Sequence, residues 1–254
     1  MRSWKQAVAR AFDGAEDYDG AARIQAEAAA RLAGRIAGEA RAARRILEVG
    51  CGTGLLTTAL REHGHGGTLL ATDIAPGMVR RCRARLAGAA NLRVLVMDAE
   101  RPCLAPGFDL IASSLAAQWF EDLPGTLASL AALLAPGGLL AVATLSSGSF
   151  AEWRAAHAAC GLEAATPRYP ALADLAALAV PGCTLGVSAE ALLEPHADGR
   201  AFLRSLRAIG ADTPGGGMPL QPGALRRVLR VFEAGGAQVT YEVATLLIRR
   251  SQQG

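Results

Sequence analysis

The 254-residue chain predicts an α/β fold, a three-layer sandwich with helices on both faces of a mostly parallel sheet. Three observations carry this. Ile46-Leu47-Glu48-Val49-Gly50-Cys51-Gly52-Thr53-Gly54 is an apolar run with an acid and three alternating glycines, the pattern of a buried strand turning tightly into a helix. The apolar runs up to Leu145 are continuous rather than alternating, as in parallel strands covered on both faces. Helical stripes separate them, which gives strand–helix alternation.

The elements follow in order. Residues 4–42 read as mainly helical, with one stripe at Ala7, Val8, Ala11 and Phe12 and another at Ile24, Ala28 and Leu32. Between them lies a polar break, 13–19, with a lone tyrosine at Tyr18. Strand Arg45–Val49 enters the glycine turn, and a helix over Leu55–Arg61 stops at the Gly64–Gly67 cluster. Thr68–Thr72 is the second strand and ends at Asp73; Pro76 opens a helix to Leu86 as a first-turn proline. Leu92–Met97, followed by Asp98-Ala99-Glu100, and Phe108–Ser113 are the next strands. A helix over Pro124–Leu134 is closed by Pro136-Gly137-Gly138, and Leu139–Leu145 is the fifth strand. The remainder is less regular. Helices are expected at Phe150–Cys160, Ala171–Leu178, Ala201–Ile209 and Pro222–Phe232, strands at Thr184–Leu193 and Ala237–Ile248, and a glycine-rich loop at Asp212–Pro219.

Composition narrows the function classes. At 51% apolar residues the chain can bury a core, and no stretch reads as a spanning helix, so no membrane partner is expected. The basic start, Met1 to Lys5, is not followed by an apolar core and cleavage site; the expectation is a cytoplasmic protein. Five scattered cysteines read as free thiols in a reducing compartment, and no His/Cys/Asp cluster has metal-ligand spacing. A formal charge of +3 does not argue for nucleic acid but leaves room for an acidic partner. Nearly all of the positive charge is arginine, Lys5 being the only lysine.

The spacing after the glycine turn bears on the ligand. Asp73 stands at the end of the second strand, about 20 residues on, where a ribose-binding acid belongs. Glu48 precedes the first glycine by two positions, and Asp98 adds a further acid at the end of strand three. A ligand with a sulfonium cation, one ribose, an adenine and no phosphate suits this set.

Residues 48–54 resemble the signature of the class I S-adenosylmethionine-dependent methyltransferases, a Rossmann-like family. The resemblance implies S-adenosylmethionine as co-substrate and no metal. It implies that the backbone around Gly50, Cys51 and Gly52, with Glu48, approaches the methionine part. Asp73, with Ile74 beside it, would take the ribose hydroxyls, Asp98 and Ala99 would line the adenine, and Ser114 would sit beside the reacting end. Cys51 reads as a small filler residue, since methyl transfer needs no covalent enzyme step. Glu100 reads either as surface charge or as support for the site.

Three further segments are similar to the malonyl-[acyl-carrier protein] O-methyltransferases of biotin synthesis. They are Phe12 to Asp19 with Gln25, Ser113 to Trp119, and Phe202 to Ala211 with the loop around Gly217 and the helix after Leu220. The similarity covers nearly the whole chain, with 155–182 matching poorly. It implies a single domain, 1–254, with a helical cover at 1–42, a cofactor-binding core at 43–148, a substrate-side region at 149–236 with a lid insertion around 197–222, and a final antiparallel strand at 237–250. The sheet would then have seven strands.

The implied reaction methylates the free carboxylate of a malonyl thioester, delivered by acyl carrier protein or by coenzyme A. That carboxylate is ionised at pH 7, so the site need only align it and exclude water. Tyr18 would close over the methionine end or touch the substrate oxygen, or else be a packed or surface tyrosine. Trp119 would wall the thioester channel or be a core tryptophan. Arg204 and Arg207 would hold the carboxylate or face solvent. Arg226, Arg227 and Arg230, with Arg80, Arg81 and Arg83, would make a basic rim for an acidic carrier, or be ordinary solvated faces. Two alternatives stand beside this: a methyltransferase for a quinone precursor or another acid, and a non-catalytic S-adenosylmethionine-binding protein.

Overall fold

The computed structural model describes residues 4–14, 18–210 and 220–252. The expected glycine-rich loop and Ala211 lie outside the described residues, as do Ala15, Glu16 and Asp17 of the N-terminal motif.

Seven strands form one sheet in the order β3-β2-β1-β4-β5-β7-β6. These are β1 (Arg45–Val49), β2 (Thr68–Asp73), β3 (Leu92–Val96), β4 (Phe108–Ser114), β5 (Leu134–Leu145), β6 (Cys183–Pro195) and β7 (Gln238–Arg250). The first five run parallel; β7 is antiparallel to both of its neighbours. The chain order reverses between β1 and β4, and ligands of open α/β sheets bind at that switch point, beyond the strand C-termini.

Side chains alternate across the sheet with period two, so each strand feeds both layers. Ile46 packs with Leu32, Leu60 and Leu110 on one face, under α3 (Arg23–Arg35) and α5 (Leu55–Glu62). Leu47 packs with Ile111, Leu127 and Leu140 on the other, under α7 (Leu123–Ala132).

One boundary departs from the sequence expectation. The helix α7 stops at Ala132, and Pro136-Gly137-Gly138 lies inside β5 rather than closing a helix. The register of β4 on β5 shifts between Phe108 and Leu110, and the proline and glycines sit in that irregular stretch. A Cβ at Gly138 would lie 3.0 Å from the Phe108 carbonyl oxygen, so the glycine permits the close crossing.

The N-terminal cover consists of α1 (Trp4–Asp13), α2 (Tyr18–Ala21), α3 and α4 (Ala37–Ala42). Tyr18, expected in a polar break, opens the short helix α2. Single polar contacts fasten α1 and α2 to α6 (Pro76–Arg85) and to the glycine turn. The Asp13 carboxylate accepts the Gly77 N–H at 2.6 Å, at the start of α6. Arg81 donates to the Asp13 carbonyl at 3.0 Å, and Thr53 Oγ1 donates to Asp19 at 2.6 Å, where Arg85 also pairs with it. Arg81 is therefore occupied, and Arg83 donates to the Val94 carbonyl at 3.0 Å. Two of the three arginines expected on α6, in a rim or on an ordinary solvated face, are thus bonded to backbone carbonyls.

Beyond β5 come α8 (Ala151–Ala158) and α9 (Leu172–Ala176), and between β6 and β7 lie α10 (Gly199–Ala208) and α11 (Pro222–Ala234). Asp198 caps α10 through the Ala201 N–H at 2.6 Å. Phe202, on its inner face, is fully buried against Trp153 and Phe232.

Candidate active site

Buried β1 delivers the chain to the turn Gly50–Gly54, and α5 starts just beyond. Gly50 has φ +70°, and a Cβ there would come within 2.3 Å of the Ala116 side chain; only glycine lets the turn after β1 pass so close to the loop after β4. Asp73, at the tip of β2, accepts the Gly52 N–H and the Ala75 N–H, each at 2.8 Å. Burial nevertheless raises its carboxyl above the ordinary range, against those two bonds.

Glu48 lies under the turn. Its Oε2 accepts the Thr57 hydroxyl at 2.6 Å, while Oε1 is buried with no hydrogen-bond partner among the described residues. Burial pushes this carboxyl up to about 8, Thr57 working against the shift. Cys51 is buried beside it. A hydrogen bond with the Cys82 thiol, together with burial, holds the Cys51 thiol well above its usual range, as suits a filler residue.

The loop after β4 forms the opposite wall. Leu115 takes φ +49°, a strained conformation for a branched side chain that costs on the order of 1–3 kcal/mol. Its N–H bonds the Ala143 carbonyl and its own carbonyl accepts Gln118 Nε2, both at 2.8 Å, which holds it there. Ser114 Oγ is buried and, like Glu48 Oε1, has no partner among the described residues. Trp119 ends a short 3-10 helix, Ala117–Trp119, and its ring meets Phe12 of α1 edge-on at 5.5 Å between centroids.

One cavity unites these parts. Tyr18, Trp119, Glu48, Gly50, Cys51, Gly52, Asp73, Ile74, Asp98, Ala99 and Ser114 all line it. Arg204 and Arg207 do not; both are exposed on α10. The amphipathic pattern that turns Phe202, Leu206 and Ile209 inward turns these two arginines outward. Tyr18 is half-buried, and desolvation, with the charges of Asp73 and Asp19, drives its phenol pKa up, so it stays protonated.

The structure adds residues to which the sequence reading gave no role. Lys5, Met97 and Phe120 line the cavity, as do Phe12 and Gln25 of the N-terminal motif. Lys5 Nζ lies 2.8 Å from Asp98 Oδ2 and 2.6 Å from Glu100 Oε2. Burial opposes its charge, but the bonds to Asp98 and Glu100 outweigh it and raise its pKa, while the same contacts help hold Glu100 below the usual range against its own burial. Glu100 therefore lines the cavity and pairs with its lysine. The signal was present in the sequence: one lysine in a chain of 26 basic residues.

The cavity fits S-adenosylmethionine chemically. It offers two buried polar atoms without partners among the described residues, Glu48 Oε1 and Ser114 Oγ, a glycine turn open to close approach, and acids at the ends of β2 and β3. Among the described residues no group of three or more His, Cys, Asp or Glu is placed to hold a metal, and no helix is long and apolar enough to cross a membrane.

Residues 47–142 match the family model of a methyltransferase domain. A biotin biosynthesis bifunctional protein from Bordetella avium is 49% identical over 94% of this chain, but the chain spans only 51% of that protein's length. A malonyl-[acyl-carrier protein] O-methyltransferase from Magnetococcus marinus is 39% identical over 93% of this chain and 89% of its own length. One from Halorhodospira halophila is 32% identical over 94% and 85%. Among solved structures, the YcgJ protein of Bacillus subtilis superposes with a TM-score of 0.63 at 13% identity, covering 88% of this chain and 99% of its own. A Haemonchus contortus N-methyltransferase, solved with S-adenosylhomocysteine, also gives 0.63, at 14% identity, over the whole of this chain and 61% of its own. These two likenesses show the Rossmann-like fold. The cofactor turn, the strand-end acids and the near full-length identity to the Magnetococcus and Halorhodospira proteins place the chain in the malonyl-[acyl-carrier protein] O-methyltransferase family of class I S-adenosylmethionine-dependent methyltransferases.

Proposed function

We propose that the protein methylates the free carboxylate of a malonyl thioester at the expense of S-adenosylmethionine, with the malonyl group delivered by acyl carrier protein or coenzyme A. The observation that carries this reading is the 39% identity over 93% of the chain to a relative that bears this name, joined to a cavity whose partnerless polar atoms suit the cofactor. In this reading the chain divides as the sequence suggests: a cover at 1–42, a cofactor core at 43–148, a substrate-side region at 149–236 with a lid around 197–222, and a closing strand at 237–250.

When bound, S-adenosylmethionine supplies a methyl group on a sulfonium cation, whose charge and that of the acceptor carboxylate vanish together on transfer. The acceptor is already ionised at neutral pH, so no residue need act as general base. The chain's task is alignment and drying. Phe12, Leu115, Trp119 and Phe120 give the cavity apolar walls, which exclude water and favour a step that cancels charge. The Tyr18 hydroxyl, protonated and near the Gly52 backbone, is a donor toward the carboxylate oxygen or the methionine end. Glu48, Gly50, Cys51 and Gly52 hold the methionine part, Asp73 and Ile74 the ribose, Asp98 and Ala99 the adenine, and Ser114 the reacting end. Arg204 and Arg207 act from the outer face of α10, on the incoming substrate or its carrier.

The test is a methyl-transfer assay with malonyl carrier protein, malonyl coenzyme A and a succinyl homologue. Transfer to a malonyl thioester, and a weaker reaction with the longer acid, supports the proposal. No transfer to any of the three rejects it.

A further inference from the structure

We infer that Lys5 is a positioning residue for the adenine end of the cofactor site, tying the N-terminal helix to the strand-end carboxylate that reads the base. This rests on the cofactor reading above.

The contacts are arranged around two carboxylates on one turn after β3. Asp98 Oδ1 accepts the Glu100 N–H at 3.0 Å, and Asp98 Oδ2 accepts Lys5 at 2.8 Å. Glu100 Oε2 takes Lys5 at 2.6 Å, while Oε1 takes the Asp122 N–H at 2.8 Å and the Thr126 hydroxyl at 3.4 Å. Asp122 is the N-cap of α7. One ammonium thus joins α1, the turn after β3 and the start of α7 around the end of the cavity where Asp98 stands.

Geometry makes this more than a surface pair. The side chains of Lys5, Asp98 and Glu100 are 18%, 29% and 10% exposed, so water screens these pairs only in part. All three residues line the cavity. Without the cation, the Asp98 and Glu100 carboxylates repel each other across two residues, and Asp98 swings away from the base. The same loss removes one tie of α1, whose others run from Asp13 to α6 and from Phe12 to Trp119.

The experiment measures binding of S-adenosylhomocysteine and of 5′-methylthioadenosine, which keeps the adenine and ribose but not the amino acid, to the full chain and its variants. Lys5→Met is expected to weaken both by the same factor, about tenfold, equal to about 1.4 kcal/mol. Lys5→Arg is expected to recover both to within about threefold. In turnover the loss falls on the cofactor KM rather than on kcat, and trypsin cuts faster at Arg10. Glu100→Gln, which keeps Lys5 and its bond to Asp98, is expected to give a weakening of about threefold and serves if Lys5→Met fails to fold. Affinities within twofold of the unmutated protein in either variant overturn the inference. Failure of the unmutated protein to bind either ligand would instead strike the cofactor reading.

Discussion

The Asp73 carboxylate accepts the backbone N–H of Gly52 across the mouth of the glycine turn at 2.8 Å. The tip of β2 thereby shapes the turn that follows β1, and its other oxygen accepts the Ala75 N–H. Asp73→Asn would present an amide N–H to one of two backbone N–H groups, leaving a donor unmatched at a cost of about 1–3 kcal/mol. The expected outcome is a thermal midpoint several degrees lower and a cofactor Kd raised at least tenfold, read by calorimetry.

Glu48 makes the ligand-free protein sensitive to pH. Burial raises its carboxyl from 4.5 to about 8, so the folded state binds the proton more tightly than the unfolded chain does. Its contribution to stability is full below about 4.5 and is lost as pH rises through about 8. Thermal melts of the ligand-free protein from pH 5 to 9 should show this decline, and Glu48→Gln should flatten it. A cationic ligand beside Glu48 favours the ionised form, so cofactor binding at pH 7 should release a proton from the native protein but not from Glu48→Gln. Calorimetry in buffers of different ionisation enthalpy reads this directly.

Gly50→Ala places a methyl 2.3 Å from the Ala116 side chain at a backbone φ of +70°. Both the clash and the conformation are unfavourable, each by about 1–3 kcal/mol. Cofactor binding should be lost and the denaturant midpoint should fall. A variant that binds normally would show that the loop after β4 can retreat.

Under the proposed function, the exposed arginines of α10 act on the substrate and not on the cofactor. Charge reversal at Arg204 or Arg207 should leave S-adenosylhomocysteine affinity within about twofold and raise KM for a carrier-borne malonyl substrate several-fold, more steeply at low salt. Equal KM values for variant and native chain would remove both residues from the reaction.

Much of the fold was legible because continuous apolar runs and glycine stops mark buried parallel strands. β1 begins and ends where the sequence places it, and β2 and β4 differ by a single residue. The start of β5 was not legible: Pro136-Gly137-Gly138 carries the local signature of a helix stop, and only the pairing partner Phe108 reveals a strand irregularity. The gathering of Asp73 and Asp98 around one cavity was legible because strand ends converge at the switch point. The fastenings of the cover were not, since Asp13, Asp19 and Lys5 act as single side chains with no periodicity. Arg204 and Arg207 show the limit of spacing arguments. Spacing puts them on one side of a helix, but Phe202 and its buried neighbours decide which way that side faces.

Both β5 and β6 use β7 as a partner, and β6 sits at the sheet edge with no other among the described residues. β7 is also the last of the seven strands in the chain. On the ribosome, the parallel core can collapse while β5 still shows a bare edge and β6 has nothing to pair with. Completing the sheet thus waits for the synthesis of a strand that follows all of its partners, and the interval before it is when these edges are most exposed to aggregation and to chaperone capture.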